Sequence, residues 1–170
     1  MTKKRFAISF ALVLLITSLA QATTVERMDL DDLVSKSDKI VVGKISNSRT
    51  YWGGNGKIIL TTYTVEVEES IKGQALRTVE LTTIGGKIGN LELRVSGMPA
   101  FEKGENAVLF IENSGSYSTV VGLSQGKFSV TKGEVSNNVS GLEFSDGRPG
   151  ANLKMPLDTF KRQIRSLVRQ

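Results

Sequence analysis

Ala107-Val108-Leu109-Phe110-Ile111 is apolar at every position. A strand on a solvated sheet alternates apolar with polar residues, whereas a run without alternation belongs to a central strand covered on both faces. The segments around it behave differently. Tyr63, Val65 and Val67 alternate with Thr64, Glu66 and Glu68 within a strand expected from Ile58 to about Ser70. Val79 and Leu81 alternate with Glu80 and Thr82, and Leu91, Leu93 and Val95 with Glu92 and Arg94, each pattern that of a half-buried strand. Ile40-Val41-Val42-Gly43-Lys44-Ile45 reads as a further buried strand, and Ser118 to Leu123 and Lys127 to Thr131 as two more, separated by a bend at Gln125-Gly126. Gly122 and Gly126 permit a bulge or close backbone approach there, and Gln125 is placed to hydrogen-bond the turn. Gly53-Gly54-Asn55-Gly56, Gly85-Gly86 and Ser114-Gly115-Ser116 are turns, and residues 97–105 a loop. Glu134 to Val139 adds a weak hairpin.

Helical signals flank this strand-rich centre. Asp29 is placed to cap a short helix carrying Leu30, Leu33 and Val34, with Asp31 and Asp32 in the first turn favoured by the helix dipole. Near Pro156 a second helix begins, with Leu157, Phe160, Ile164, Leu167 and Val168 on one stripe and Lys161, Arg162, Arg165 and Arg169 expected to face outward. Strands that are not interleaved with helices argue against a parallel sheet. The expected fold is mainly β: a small antiparallel OB-like barrel with a short N-terminal helix and a C-terminal amphipathic helix, since closure removes exposed strand edges. A sandwich is the alternative.

The N-terminus reads as a secretory signal peptide. Lys3, Lys4 and Arg5 precede an apolar stretch from Phe6 to Leu19, then Ala20-Gln21-Ala22, a small-residue cleavage site defined by Ala20 and Ala22. The apolar stretch is shorter than the roughly 20 residues of a spanning helix. The expected organisation is a signal peptide over residues 1–22 and a single domain over 23–170. The chain is then exported, periplasmic or extracellular, with no transmembrane segment in the mature part. Of 22 basic and 17 acidic residues, three basic ones leave with the leader, which lowers the charge from +5 to +2. That removes the main argument for nucleic acid as a partner.

Missing residue types exclude much chemistry. With neither cysteine nor histidine there is no disulfide, thiol nucleophile, thiolate metal site, Ser-His-Asp triad or HExxH zinc site. Ser124-Gln125-Gly126-Lys127 matches S-x-x-K, but that motif needs a helix, and no S-D-N or K-T-G accompanies it. Glu66 and Glu68 share a strand face roughly 7 Å apart, within the range of an inverting glycosidase pair but without a cleft of aromatic walls. Asp29, Asp31 and Asp32 lack the glycine and distal glutamate of a calcium loop. Asn138-Val139-Ser140 matches a glycosylation sequon, and Gly85-Gly86-Lys87 could form an anion-binding nest or a plain turn. No catalytic residue, cofactor or metal is expected.

Several motifs together carry a resemblance. Ser37-Asp38-Lys39-Ile40-Val41-Val42-Gly43-Lys44-Ile45 is followed by Tyr63-Thr64-Val65-Glu66-Val67-Glu68-Glu69-Ser70-Ile71-Lys72-Gly73. Gly85-Gly86, Gly97-x-Pro99-x-Phe101-x-x-Gly104-Glu105, Val108-Leu109-Phe110 and Val121-Gly122-Leu123-Ser124-Gln125-Gly126-Lys127-Phe128 complete the set. The chain resembles a group of small exported bacterial proteins of unassigned function. It is more distantly similar to the OB-fold domain of tissue inhibitors of metalloproteinases and netrin-type modules. The latter implies a five-stranded barrel but not inhibition, because no cysteine is present to chelate a protease zinc.

The expected function is a non-enzymatic exported binding module whose partner is a protein or envelope component. A carbohydrate- or peptidoglycan-binding barrel is the alternative, and an enzyme without histidine or cysteine the remote one. Tyr51 and Trp52, beside Gly53-Gly54, are the candidate partner-binding residues, either as an exposed pair on a loop or with Trp52 as a plug over the barrel end.

Overall fold

The computed structural model describes residues 24–169 except 55 and 75; the signal-peptide reading, with Ala20 and Ala22, lies outside the described residues. Among the described residues, twelve strands and two α-helices follow in the order β1 (Thr24–Val25), α1 (Leu30–Lys36), β2 (Lys39–Gly53), β3 (Ile58–Lys72), β4 (Thr78–Ile84), β5 (Gly86–Ile88), β6 (Leu91–Leu93), β7 (Asn106–Ser114), β8 (Tyr117–Val120), β9 (Lys127–Thr131), β10 (Glu134–Ser136), β11 (Glu143–Phe144), β12 (Lys154–Pro156) and α2 (Leu157–Val168). The fold is mainly β. Its principal sheet is antiparallel throughout, in the order β12-β10-β9-β7-β2-β3-β4, with β8 also paired to β7. β5–β6 is a small hairpin, and β1 pairs with β11 in parallel.

β7 is the centre of the molecule, as its composition predicts. One edge pairs with β2; the other pairs first with β9 (Asn106 to Leu109) and then with β8 (Ile111 to Ser114). Its alternate side chains serve two cores. Val108 and Phe110 enter a cluster with Ile40, Val42, Phe128, Val135, Leu33, Val34, Phe160 and Ile164, which α1 and α2 cover. Ala107, Leu109 and Ile111 enter a second cluster with Val41, Ile45, Val65, Val79, Leu81 and Val120. Residues from β2, β3, β4, β7 and β8 thus surround one interior. β4 comes within 8 Å (Cα–Cα) of β8, yet among the described residues no ladder joins them, so the sheet is not closed into a barrel.

The pairing of β2 with β3 carries three register irregularities, between Ile40 and Val41, Val42 and Gly43, and Ile45 and Asn47. Gly43 permits the second: a Cβ there would lie 2.5 Å from the Glu66 carbonyl oxygen. Beyond the irregularities β2 continues through Ser46-Asn47-Ser48-Arg49-Thr50, polar residues that do not signal a strand, because β3 pairs with it up to Gly53. Cross-strand hydroxyls support this part: Thr50 Oγ1 and Thr61 Oγ1 lie 3.0 Å apart, and Thr62 Oγ1 and Thr82 Oγ1 2.9 Å apart.

The predicted α1 forms with Asp29 as its cap, in a reciprocal capping box with Asp32. The stripe of α2 is core. Phe160 and Ile164 are fully buried, and the Phe160 ring centroid lies 4.5 Å from that of Phe128 and 6.1 Å from that of Phe110. The expected outward basic face holds for Arg162, Arg165 and Arg169, which are exposed, and is corrected for Lys161, whose side chain is only 19 % exposed. Lys161 and Arg165 both donate to Glu69 on β3, with Lys161 Nζ at 2.5 Å, and Lys154 pairs with Glu134 at 2.9 Å. A carboxylate on the strand beneath α2 drew these cations in. Burial alone would raise the Glu69 pKa, but Lys161 and Arg165 outweigh it and hold the carboxyl below its usual value. Among the described residues no helix is long and apolar enough to cross a membrane.

Candidate functional site

Tyr51 and Trp52 do not sit on a loop. They are consecutive residues of β2, in unbroken register opposite Leu60 and Ile59. Successive strand residues point to opposite faces, so the two rings cannot form one surface. Trp52 is 44 % exposed and plugs nothing. Tyr51 instead begins a hydrogen-bond chain across three strands. Its hydroxyl lies 3.2 Å from Thr62 Oγ1, which meets Thr82 Oγ1 on β4, while the Arg49 guanidinium lies 5.0 Å from the Tyr51 ring centroid.

Thr82 leads to a largely apolar cleft. A cavity of about 560 Å³ lies where the β3–β4 hairpin meets β7 and β8. Ile58, Leu60, Thr82 and Ile84 line one side, Glu112, Tyr117, Thr119 and Val120 the other, with Gly54 at the β2–β3 turn and Met98 and Leu123 at the base. Ile84 and Tyr117 are 37 % and 44 % exposed, large apolar surfaces left uncovered at the rim. The cleft volume falls within the range of small-molecule pockets, and its lining is mostly apolar. Sequence reasoning missed it, although a signal exists. Val79, Leu81 and Thr83 point inward, so Ile84 falls in the outward phase of β4 with Glu80 and Thr82; Ile58 and Leu60 likewise share the phase of Thr62, Thr64 and Glu66. Apolar residues in a polar phase mark a second covered or sticky face.

The remaining candidates resolve into structural roles. Leu123–Gly126 forms a single 3₁₀ turn that follows Gly122, whose φ is 63°. Gln125 is buried and holds distant chain: its amide nitrogen donates to the Glu26 and Gly122 carbonyls, and its oxygen accepts from the Met28 N–H at 2.9 Å. A Cβ on Gly126 would lie 2.5 Å from the Val121 carbonyl oxygen, so that position requires glycine. Ser124 and Lys127 both line a smaller polar cavity of about 310 Å³. Lys127 Nζ is engaged by Glu105 Oε1 at 2.7 Å and the Ala100 carbonyl at 2.5 Å, an arrangement that leaves it tied to Glu105 rather than to Ser124. Burial would raise the Glu105 pKa, but Lys127, the Ser129 hydroxyl and the Glu102 N–H overcome it and hold it low. Glu66 and Glu68 are exposed on the solvated phase of β3, without a cleft between them. Asp29, Asp31 and Asp32 serve the α1 terminus, and among the described residues no group of histidine, cysteine, aspartate or glutamate is arranged to hold a metal. Asn138 Oδ1 accepts from the Ser140 N–H and hydroxyl in a local turn, and Gly85 and Gly86 lead into β5, where the Gly85 carbonyl accepts from Thr61 Oγ1 at 2.7 Å. Compared with family models, curated proteins and solved structures, the chain matches none of them.

Proposed function

We propose that this chain is a non-enzymatic exported binding module built on an OB-like barrel, and that the cleft at the β4–β8 seam is its binding site. The observation that carries the reading is the cleft itself, an apolar cavity of about 560 Å³ with Ile84 and Tyr117 uncovered at its rim. Strand order supports the barrel. Numbering β2, β3, β4, β7 and β8 from one to five, hydrogen bonding runs 3-2-1-4-5, and proximity of β4 to β8 returns the path to its start. That is the connectivity of a partly open five-stranded OB barrel. The cleft then lies on the face of the second and third strands, flanked by the first hairpin turn and the connection between the fourth and fifth strands, where OB barrels take their ligands. The partner is a protein or envelope component. An apolar lining whose one charged residue is Glu112 favours apolar side chains over phosphates or sugar hydroxyls, and the Tyr51–Trp52 pair that would have stacked a sugar is split between two faces.

Capture from an envelope fraction tests the reading. Immobilised wild-type chain should retain a component that the rim variant Ile84→Lys/Tyr117→Lys does not. Equal retention by both, or none by either, would remove the cleft as the site. Export is tested separately: mass spectrometry of the protein from the envelope should find an N-terminus at Thr23, and one at Met1 would refute processing at Ala20-Gln21-Ala22.

A further inference from the structure

The seam cleft does not end at its base. Met98 and Leu123 also line a second cavity of about 540 Å³, whose other walls include Val25, Val95 and Leu142. Each cavity alone is of small-molecule size, but two that meet at shared side chains suit an elongated occupant. Leu123, at the junction, has φ 62°, and Gly122 before it φ 63°. Left-handed backbone is costly for a branched side chain and persists only where its surroundings over-determine it, a state that clusters at ligand clamps. Leu123 packs against the Val139, Leu142 and Phe144 cluster, which holds it there.

Charge gives the occupant its chemistry. The only charged residue lining the first cavity is Glu112, and the only one lining the second is Glu143. Neither carboxylate is ion-paired among the described residues, in a chain where basic residues outnumber acidic ones. Building on the binding-module reading, we propose that the two cavities form one track for an extended polypeptide segment with alternating apolar residues and lysine or arginine toward its two ends, met by Glu112 and Glu143. The segment lies over the seam, not within it: β4 and β8 approach within 8 Å, whereas an inserted strand needs about 9.5 Å between its neighbours. Hydroxyls of Thr119 and Ser140 along the track offer partners to its backbone.

Selection of random twelve-residue peptides displayed on phage, against the chain recovered from the envelope fraction, tests this without presupposing a sequence. Enriched peptides should alternate apolar residues between basic ends, and should bind Glu112→Gln/Glu143→Gln about fivefold more weakly, the worth of two exposed ion pairs. Both substitutions keep size and hydrogen-bonding capacity, so the variant folds. Enrichment of peptides without basic ends, affinity unchanged in the variant, or no enrichment at all overturns the proposal. If peptides fail while envelope capture still depends on Ile84 and Tyr117, the track falls and the binding-module reading stands; if both fail, both fall.

Discussion

The two halves of β7 differ in pattern and meet different fates: Ala107 to Ile111 is apolar and buried, whereas Glu112-Asn113-Ser114 is polar and increasingly exposed. Along Asn106 to Leu109 the outer edge pairs with β9, the sheet continues through β10 and β12, and α2 lies over it with Phe160 and Ile164 fully buried. Along Ile111 to Ser114 the edge pairs with β8, and beyond β8 stands β4, close but unladdered, with Ile84 and Tyr117 open to solvent. In the first half every apolar side chain has been used to hold the fold. In the second, Ile84 and Tyr117 stand exposed at the rim of the cleft, while Leu60 beside them is buried. On the proposed reading, stability and binding are separated along a single strand, and substitutions should tell the halves apart.

The largest effect is expected at Phe160. Its ring packs against both Phe110 and Phe128, and Phe160→Ala should destabilise by about 3–5 kcal/mol. Thermal unfolding checks this, and an unchanged midpoint would mean that α2 does not cover the first half. Next comes the ion pair that fastens the start of β9 to the loop before β7. Lys127→Met leaves the Glu105 carboxylate mostly buried with only Ser129 and the Glu102 N–H, at a cost of about 2–3 kcal/mol. The same pair sets a pH dependence. Glu105 and Glu69 are held below their ordinary value of 4.5 in the folded chain, so the folded state binds fewer protons than the unfolded one near that pH. Their contribution is fully present above about 4.5 and is lost as pH falls through the depressed folded values. The wild-type midpoint should be flat from neutral pH to about 5 and drop below it, with a shallower drop in Glu105→Gln; an equal drop in both would deny Glu105 a part. The smallest effect belongs to the open half. Tyr117→Ser should shift stability by no more than about 0.5 kcal/mol, as for surface substitutions generally, while weakening capture of the partner. A large loss of stability there would erase the distinction between the halves.

Periodicity accounts for what the sequence made readable. Ala107 to Ile111, the Asp29 cap and the stripe through Phe160 and Ile164 each advertise one environment by local pattern, and each occurs as expected. The far half of β2 was hidden because Ser46 to Thr50 are held by hydroxyl pairs and by β3, not by burial of apolar surface. Lys161 and Arg165 read as solvated because their partner, Glu69, lies about ninety residues away on another strand. Tyr51 and Trp52 drew attention as neighbours in sequence, although a strand sets neighbours on opposite faces. The cleft escaped because Leu60, Ile84, Tyr117 and Leu123 come from four separate segments, and only the strand phase of Leu60 and Ile84 marks them.

The short parallel pairing of β1 with β11 has a consequence for time. Thr24 and Val25 pair with Glu143 and Phe144, and Arg27 clamps Asp146 with two hydrogen bonds, of 2.9 and 3.1 Å, across 119 residues of chain. Whether the polypeptide leaves a ribosome or a translocation channel, Thr24 to Arg27 wait for the 119 residues that separate Arg27 from Asp146. At about 5–20 residues per second that wait is on the order of ten seconds. Throughout it Phe144 and the strap from Glu26 to Met28 lack one another, so residues made early are among the last to be fastened, and a chaperone that meets this protein in transit would find that strap free.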